Sequence, residues 1–250
     1  MSESPVYLLI GGTGGIGAPL TRRLAAEGAR VVLGARDADR LGALAGETGA
    51  TAFTLDATDP DAVSGLVSAA LEAHGRIDGA ANLAGSILRK PAHATSPDEF
   101  EETLRPNLLT AFNLVRAIVR PMQKNADNAG GSIVLMSSIA GRSGLANHEA
   151  IAAAKAGVEG LVRSAAATYA PKQIRVNAVA PGLVRTPLAG RLVGSEQAET
   201  ASAAMHPLGR IGEPEYLTDA LAFLLDLQRS GWFTGQTISV DGGFASAKPR

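Results

Sequence analysis

The sequence predicts an α/β protein: a doubly wound parallel sheet of about seven strands with helices on both faces. Two observations carry this. Short apolar runs alternate with longer stretches of helical spacing from end to end, and parallel strands need such crossovers. The runs are also nearly continuous in apolar residues, as strands covered on both faces are.

Taken in order, Val6–Ile10 is a bare apolar run that stops at glycines, and residues 15–27 then carry helical spacing. Arg30–Ala35 reads as a strand, 37–47 as a helix and 51–55 as a strand. Asp59 caps the next helix, with Pro60 in its first turn, where a missing N–H costs nothing. Residues 77–83 and 132–137 are buried strands. Between them a helical pattern runs from 98 to about 123, and Pro106 removes its bond to Glu102, which predicts a kink. Residues 126–131 read as a loop and 147–169 as a further helix; strands 174–179 and Thr237–Val240 complete the sheet. Residues 187–207 are expected to form a mobile helical lid and 246–250 a polar tail. No repeat, low-complexity tract or composition shift divides the chain, so 1–250 is read as one domain.

Composition narrows the function classes. With 46% hydrophobic and 19% charged residues the chain is not disordered. A net charge of −1 offers no single-sign field to nucleic acid or an anionic membrane. The absence of cysteine excludes disulfides, thiol catalysis and cysteine metal sites. His74, His93, His148 and His206 include no pair at ligand spacing, so no metal is expected. Glu3 stands where a signal peptide wants a basic start, and the uncharged stretch 4–21 is too broken by Gly and Pro to span a bilayer. A cytoplasmic protein is expected.

Gly11-Gly12-Thr13-Gly14-Gly15-Ile16-Gly17 lies between the first strand and the first helix. Glycines there permit a tight turn and bring backbone N–H groups to a pyrophosphate at the helix N-terminus, which points to a dinucleotide site. Gly11, Gly15 and Gly17 match the G-x-x-x-G-x-G of the short-chain dehydrogenase/reductase family. Asn82-Leu83-Ala84-Gly85 resembles that family's Asn-Asn-Ala-Gly, and Ser138 and Lys155 follow in the expected order. Pro181-Gly182 with Thr186 is similar to its Pro-Gly-x-x-x-Thr, and Val240-Asp241-Gly242-Gly243 to its usual ending. These matches span residues 6 to 244.

The resemblance implies a Rossmann-type fold, a small-molecule substrate and assembly into homodimers or homotetramers through helices 98–123 and 147–169. It also implies a nicotinamide cofactor, held by Gly11, Thr13, Gly15, Ile16 and Gly17, by Asp56 and Ala57, and by Asn82, Ala84 and Gly85. Lys155, Pro181, Gly182, Val184 and Thr186 complete that set. At the end of the second strand, an acid would bind ribose hydroxyls, whereas this chain has Ala35 followed by Arg36. A guanidinium holds a 2′-phosphate through charge-assisted bonds, so NADP(H) is favoured over NAD(H). Ile10 and Leu83 replace polar residues of the family pattern and are read as having lost a mutual polar contact together.

The family's proton donor is a tyrosine four residues before the lysine, and that position is Ile151; Tyr7, Tyr169 and Tyr216 lie elsewhere. Ser138 and Lys155 remain to polarise a substrate oxygen, and Asn107 resembles the helix asparagine that supports a water chain to the lysine. His148, seven residues before Lys155, shares its face if the helix has begun there, and occupies the tyrosine position of some enoyl-reducing members. Against that, Asn147 could cap the helix and leave His148 exposed. Ile87, Leu88, Leu145, Ile151, Leu188 and Leu192 are expected to line the pocket, favouring an apolar substrate.

Three readings follow: an NADP(H)-dependent oxidoreductase with an altered acid, reducing an activated C=C bond or a carbonyl; a non-catalytic NADP(H)-binding protein; or a non-redox enzyme on this fold, as the halohydrin dehalogenases are. The dehalogenases have lost the nucleotide loop and use a tyrosine, the reverse of this chain.

Overall fold

The computed structural model describes residues 4–125, 130–190 and 193–247. Seven parallel strands form one sheet in the order β3-β2-β1-β4-β5-β6-β7: β1 Val6–Ile10, β2 Arg30–Ala35, β3 Thr51–Thr54, β4 Gly79–Asn82, β5 Gly131–Met136, β6 Ile174–Pro181 and β7 Thr237–Val240. The chain runs outward from β1 to β3, then returns to lay β4 on the other side of β1. That reversal opens a crevice at the carboxyl ends of β1 and β4, where sheets of this kind receive ligands.

Strand side chains feed two cores. Val6, Leu8, Ile10 and Val32 pack with Leu114, Ile118, Val158 and Val162 on one face. On the other, Leu9, Val31 and Leu33 pack with Leu20, Leu24, Leu217 and Leu221. Alternate residues of β1 therefore serve opposite cores, which is why the strand reads as an unbroken apolar run.

The helices are α1 Gly17–Ala26, α2 Ala38–Thr48, α3 Pro60–His74, α4 Pro97–Leu104, α5 Thr110–Met122, α6 Glu149–Tyr169, α7 Glu196–Ala204 and α8 Pro214–Leu225. Asp37 and Asp59 cap α2 and α3 through the amides of Arg40 and Asp61. The kink expected at Pro106 is a wide turn: Arg105–Leu109 is π-helical and separates α4 from α5. An inserted residue of this kind absorbs the bond that proline cannot make.

Other boundaries differ from expectation. The first helix starts at Gly17 because the preceding glycines form turns, and β5 begins at Gly131, inside the expected loop. Residues 77 and 78 precede β4, and Leu83 follows it. The α8 helix was not legible as an element, although Pro214 in its first turn followed by Glu215 is a helix-start signal. The described residues of 187–207 form a 3-10 turn, Pro187–Ala189, and α7, with turns and bends between and after them. Residues 1–3, residues 126–129 of the expected loop and 248–250 of the expected tail lie outside the described residues, as does Leu192.

Ile10 and Leu83, read as having lost a mutual polar contact, turn their side chains to opposite faces of the sheet. Ile10 packs into the core with Leu114, and Leu83 against the core on the opposite face. Their contact is through the backbone, where the Leu83 N–H donates to the Ile10 carbonyl at 2.8 Å.

Candidate active site

The crevice is built from the carboxyl ends of β1, β2, β4, β5 and β6. After β1, Gly11 takes φ +76°, and a Cβ there would stand 2.8 Å from the Ala84 amide nitrogen. A Cβ on Gly17 would run into the Gly11 carbonyl oxygen, and one on Gly15 would stand 2.8 Å from Thr186 Cβ. Close approach of backbone to backbone thus requires glycine at Gly11 and Gly17, and at Gly15 the side chains of Thr186 and Pro187 fill the space a Cβ would take. Gly17→Ala is expected to cost about 1–3 kcal/mol or more. Differential scanning calorimetry should show a fall of about 2–4 °C for each kcal/mol, with loss of nucleotide binding by titration.

Ile16 precedes α1 as its N-cap, and Thr13 is buried beside it. Thr13 gains a partner that sequence reading missed: Arg40 Nη2 donates to its carbonyl at 2.8 Å. The signal was a second arginine one helical turn after Arg36. Arg36 is exposed just after β2 and, among the described residues, makes no hydrogen bond or ion pair, although its charge acts on Asp56. Asp56 closes a turn by accepting from the Thr58 amide and hydroxyl, both at 2.9 Å. Those bonds, and then the charge of Arg36, hold its carboxyl below the usual range. Ala57 is buried next to it and accepts from Asn113 Nδ2 at 3.0 Å.

On the β4 side, Asn82 accepts from the Ala84 amide at 3.1 Å and donates to Thr110 Oγ1 at 2.9 Å. The π-turn brings Asn107 toward Gly85: a Cβ on Gly85 would stand 3.0 Å from Asn107 Oδ1 and 3.6 Å from Lys155 Nζ. Asn107 also donates to Ser86 Oγ at 3.0 Å and accepts from the Ser86 amide at 3.3 Å. Ser86, the residue after the Asn-Leu-Ala-Gly segment, was not singled out from sequence.

Lys155 Nζ donates to the Met136 carbonyl at 2.9 Å and is enclosed by protein. Burial alone pushes its ammonium down from about 10.5 to about 8. Ser138 follows β5, and its Oγ accepts from the Ala140 amide at 3.2 Å. It thereby caps the turn Ile139–Gly141, while among the described residues its own O–H has no acceptor and can donate. Pro181 ends β6, Gly182 and Val184 follow, and Thr186 faces the glycine loop.

Asn147 does not cap α6. It adopts φ 62°, a left-handed turn that delays the helix to Glu149 and makes His148 the N-cap. His148 thus lies outside the helix that was to share its face with Lys155, with Nδ1 2.7 Å from the Ala146 carbonyl oxygen. Ile151 is on the first turn of α6, only 4% exposed, rather than an open pocket wall. Ile87 at 39% and Leu188 at 54% are exposed near the crevice, and Leu88 and Leu145 are half-buried. Ile151→Tyr overfills a packed position at about 1–3 kcal/mol. The expected outcome is melting several degrees lower; an unchanged melting temperature shows that the phenol finds open space toward the crevice.

Among the described residues, no three His, Cys, Asp or Glu side chains gather as a metal site, and no helix is long and apolar enough to cross a membrane. A cradle of glycines that excludes Cβ atoms, an exposed arginine after β2 and a buried lysine together fit a nicotinamide dinucleotide.

The fold and crevice define the class as a dinucleotide-binding α/β oxidoreductase. A family model described as enoyl-(acyl carrier protein) reductase matches residues 11–245. The chain is 34% identical over 246 residues to a 3-oxoacyl-(acyl-carrier-protein) reductase of Thermotoga maritima, covering 96% of this chain and 98% of that one. A short-chain type dehydrogenase/reductase from Mycobacterium ulcerans superposes with TM-score 0.92 and 30% identity over 100% of this chain and 93% of that one. A point variant of actinorhodin polyketide ketoreductase with NADPH does so at TM-score 0.91 and 28% identity, covering 99% and 100%. The chain belongs to the short-chain dehydrogenase/reductase family.

Proposed function

We propose that this protein is an NADP(H)-linked reductase of small apolar molecules, acting as one domain in the cytoplasm and favouring activated C=C bonds over simple carbonyls. The carrying observation is that Ser138 and the buried Lys155 are retained while Ile151 stands in place of a proton donor. Bound nicotinamide supplies hydride. A ketone needs its oxygen protonated as hydride arrives, and Ile151 has no proton to give. An enone or enoyl thioester needs only stabilisation of negative charge on its carbonyl oxygen, with carbon protonated afterwards. The free Ser138 O–H and the remaining N–H groups of Lys155 can donate to that oxygen. The later proton comes from water or from His148; loss of the acid limb of the pH profile in His148→Ala would assign it to the imidazole.

Arg36 supports NADP(H) over NAD(H), with Arg40 steadying the glycine loop beside it. The deciding experiment follows NADPH oxidation with matched enones and saturated ketones. Faster turnover of enones is expected, faster turnover of ketones overturns the reading, and binding of NADPH without turnover of either substrate favours a non-catalytic nucleotide-binding protein.

A homo-oligomer is also proposed. Phe112 at 50% exposure and Leu109 at 37% flank an apolar groove with Leu104, Leu108 and Leu161, between α4, α5 and α6. Apolar surface of this kind is usually covered. Light scattering should give a dimer or tetramer for the wild type and a smaller species for Phe112→Glu.

A further inference from the structure

The chemistry above leaves unused an imidazole buried against the Pro-Gly loop. His206, two residues beyond α7, is 4% exposed. Its ring nitrogens meet backbone groups of fixed polarity. Nε2 lies 3.3 Å from the Leu183 amide nitrogen, which can only donate, and Nδ1 lies 2.8 Å from the Ser202 carbonyl oxygen, which can only accept. One protonation state satisfies both: a neutral ring with its hydrogen on Nδ1. The imidazolium sets N–H against N–H at Leu183, and the other neutral tautomer loses both bonds.

The ring has little room to turn away. A Cβ on Gly182 would stand 2.9 Å from Nε2, and the Phe244 ring packs at 5.3 Å between centroids. His206 therefore joins the end of α7 to Gly182 and Leu183, from which the chain runs directly to Val184 and Thr186. Thr186 in turn packs on Gly15 of the glycine loop.

We infer that His206 is a positioning residue: its neutral imidazole fastens α7 to loop 181–186, and protonation releases that loop and weakens the hold on the dinucleotide. The effect on the nucleotide rests on the reading of this loop as part of the cofactor site. Charged groups around the ring are engaged elsewhere. Asp241 accepts from the amides of Gly243 and Ala245 at 2.9 and 2.8 Å. Arg210 lies over the Tyr216 ring at 5.7 Å, and Glu199 of α7 pairs with Arg185 at 2.7 Å.

Hydrogen exchange across 182–186 and 196–206, with NADPH titrations alongside, tests this on the full chain at pH 5.5 and 8. After correction for intrinsic exchange, protection at Leu183 is expected to be about tenfold lower at pH 5.5, and the NADPH Kd higher by a similar factor. His206→Gln, whose amide oxygen accepts from Leu183 without titrating, should keep protection at both pH values. Protection that is independent of pH in the wild type overturns the inference, as does an unchanged pH dependence in His206→Gln. Failure of NADPH to bind at either pH would instead refute the cofactor reading, while exchange in the nucleotide-free chain still decides the role of His206.

Discussion

Lys155→Ala and Ser138→Ala are each expected to lower turnover of an activated alkene by about 10²-fold, the usual loss when one donor to a developing oxyanion is removed. The two losses arise differently. Ser138 gives a neutral O–H, free because its oxygen is already held by the Ala140 amide. Lys155 gives charge, and burial sets the pH window in which it does so. Its ammonium gives up its proton near pH 8, so turnover should decline as pH rises through about 8. Lys155→Arg should move that decline upward, because a guanidinium stays charged.

Stability carries the opposite signature. Between about pH 8 and 10.5 the unfolded chain keeps this proton and the folded chain has lost it, so folding should gain stability as pH rises through that window. Denaturant titration of the wild type and Lys155→Met measures it, and the contribution should vanish in the variant.

Arg36→Ala is expected to weaken NADPH binding by about ten- to a hundredfold while leaving NADH nearly unchanged. A charge-assisted bond to a phosphate is worth about 1.5–3 kcal/mol. Among the described residues Arg36 makes no hydrogen bond or ion pair that must break first, and only its longer-range attraction to Asp56 competes with the phosphate. Titrating both cofactors into wild type and variant decides the matter. Equal wild-type affinities, or equal losses in the variant, would show that Arg36 does not read the 2′-phosphate.

Much of the site was legible because its residues act through local backbone geometry. Gly11, Gly15 and Gly17 announce a turn in any context, and Asp37 and Asp59 cap the helices they precede. Residues whose roles depend on distant partners were not legible. Arg40 reaches Thr13 across 27 positions, Ser86 meets Asn107 across 21, and His206 meets Leu183 across 23. No spacing rule on a single helix or strand encodes such pairs. The helix face expected to join His148 to Lys155 is absent for a different reason: the left-handed turn at Asn147 places His148 before the helix rather than on it.

By itself, the sequence determined the parallel sheet, the succession of its seven strands along the chain, the glycine cradle and the missing phenol. These follow from periodicity, turn chemistry and residue identity, all local properties of the chain. The tertiary structure decided which groups are enclosed and what they face. It buried Lys155 and so lowered its proton affinity, packed Ile151, parted Ile10 from Leu83, and set His206 between an amide donor and a carbonyl acceptor. Burial and partnership are created when segments far apart in the chain close on one another, and the electrostatics of the site come into being only then.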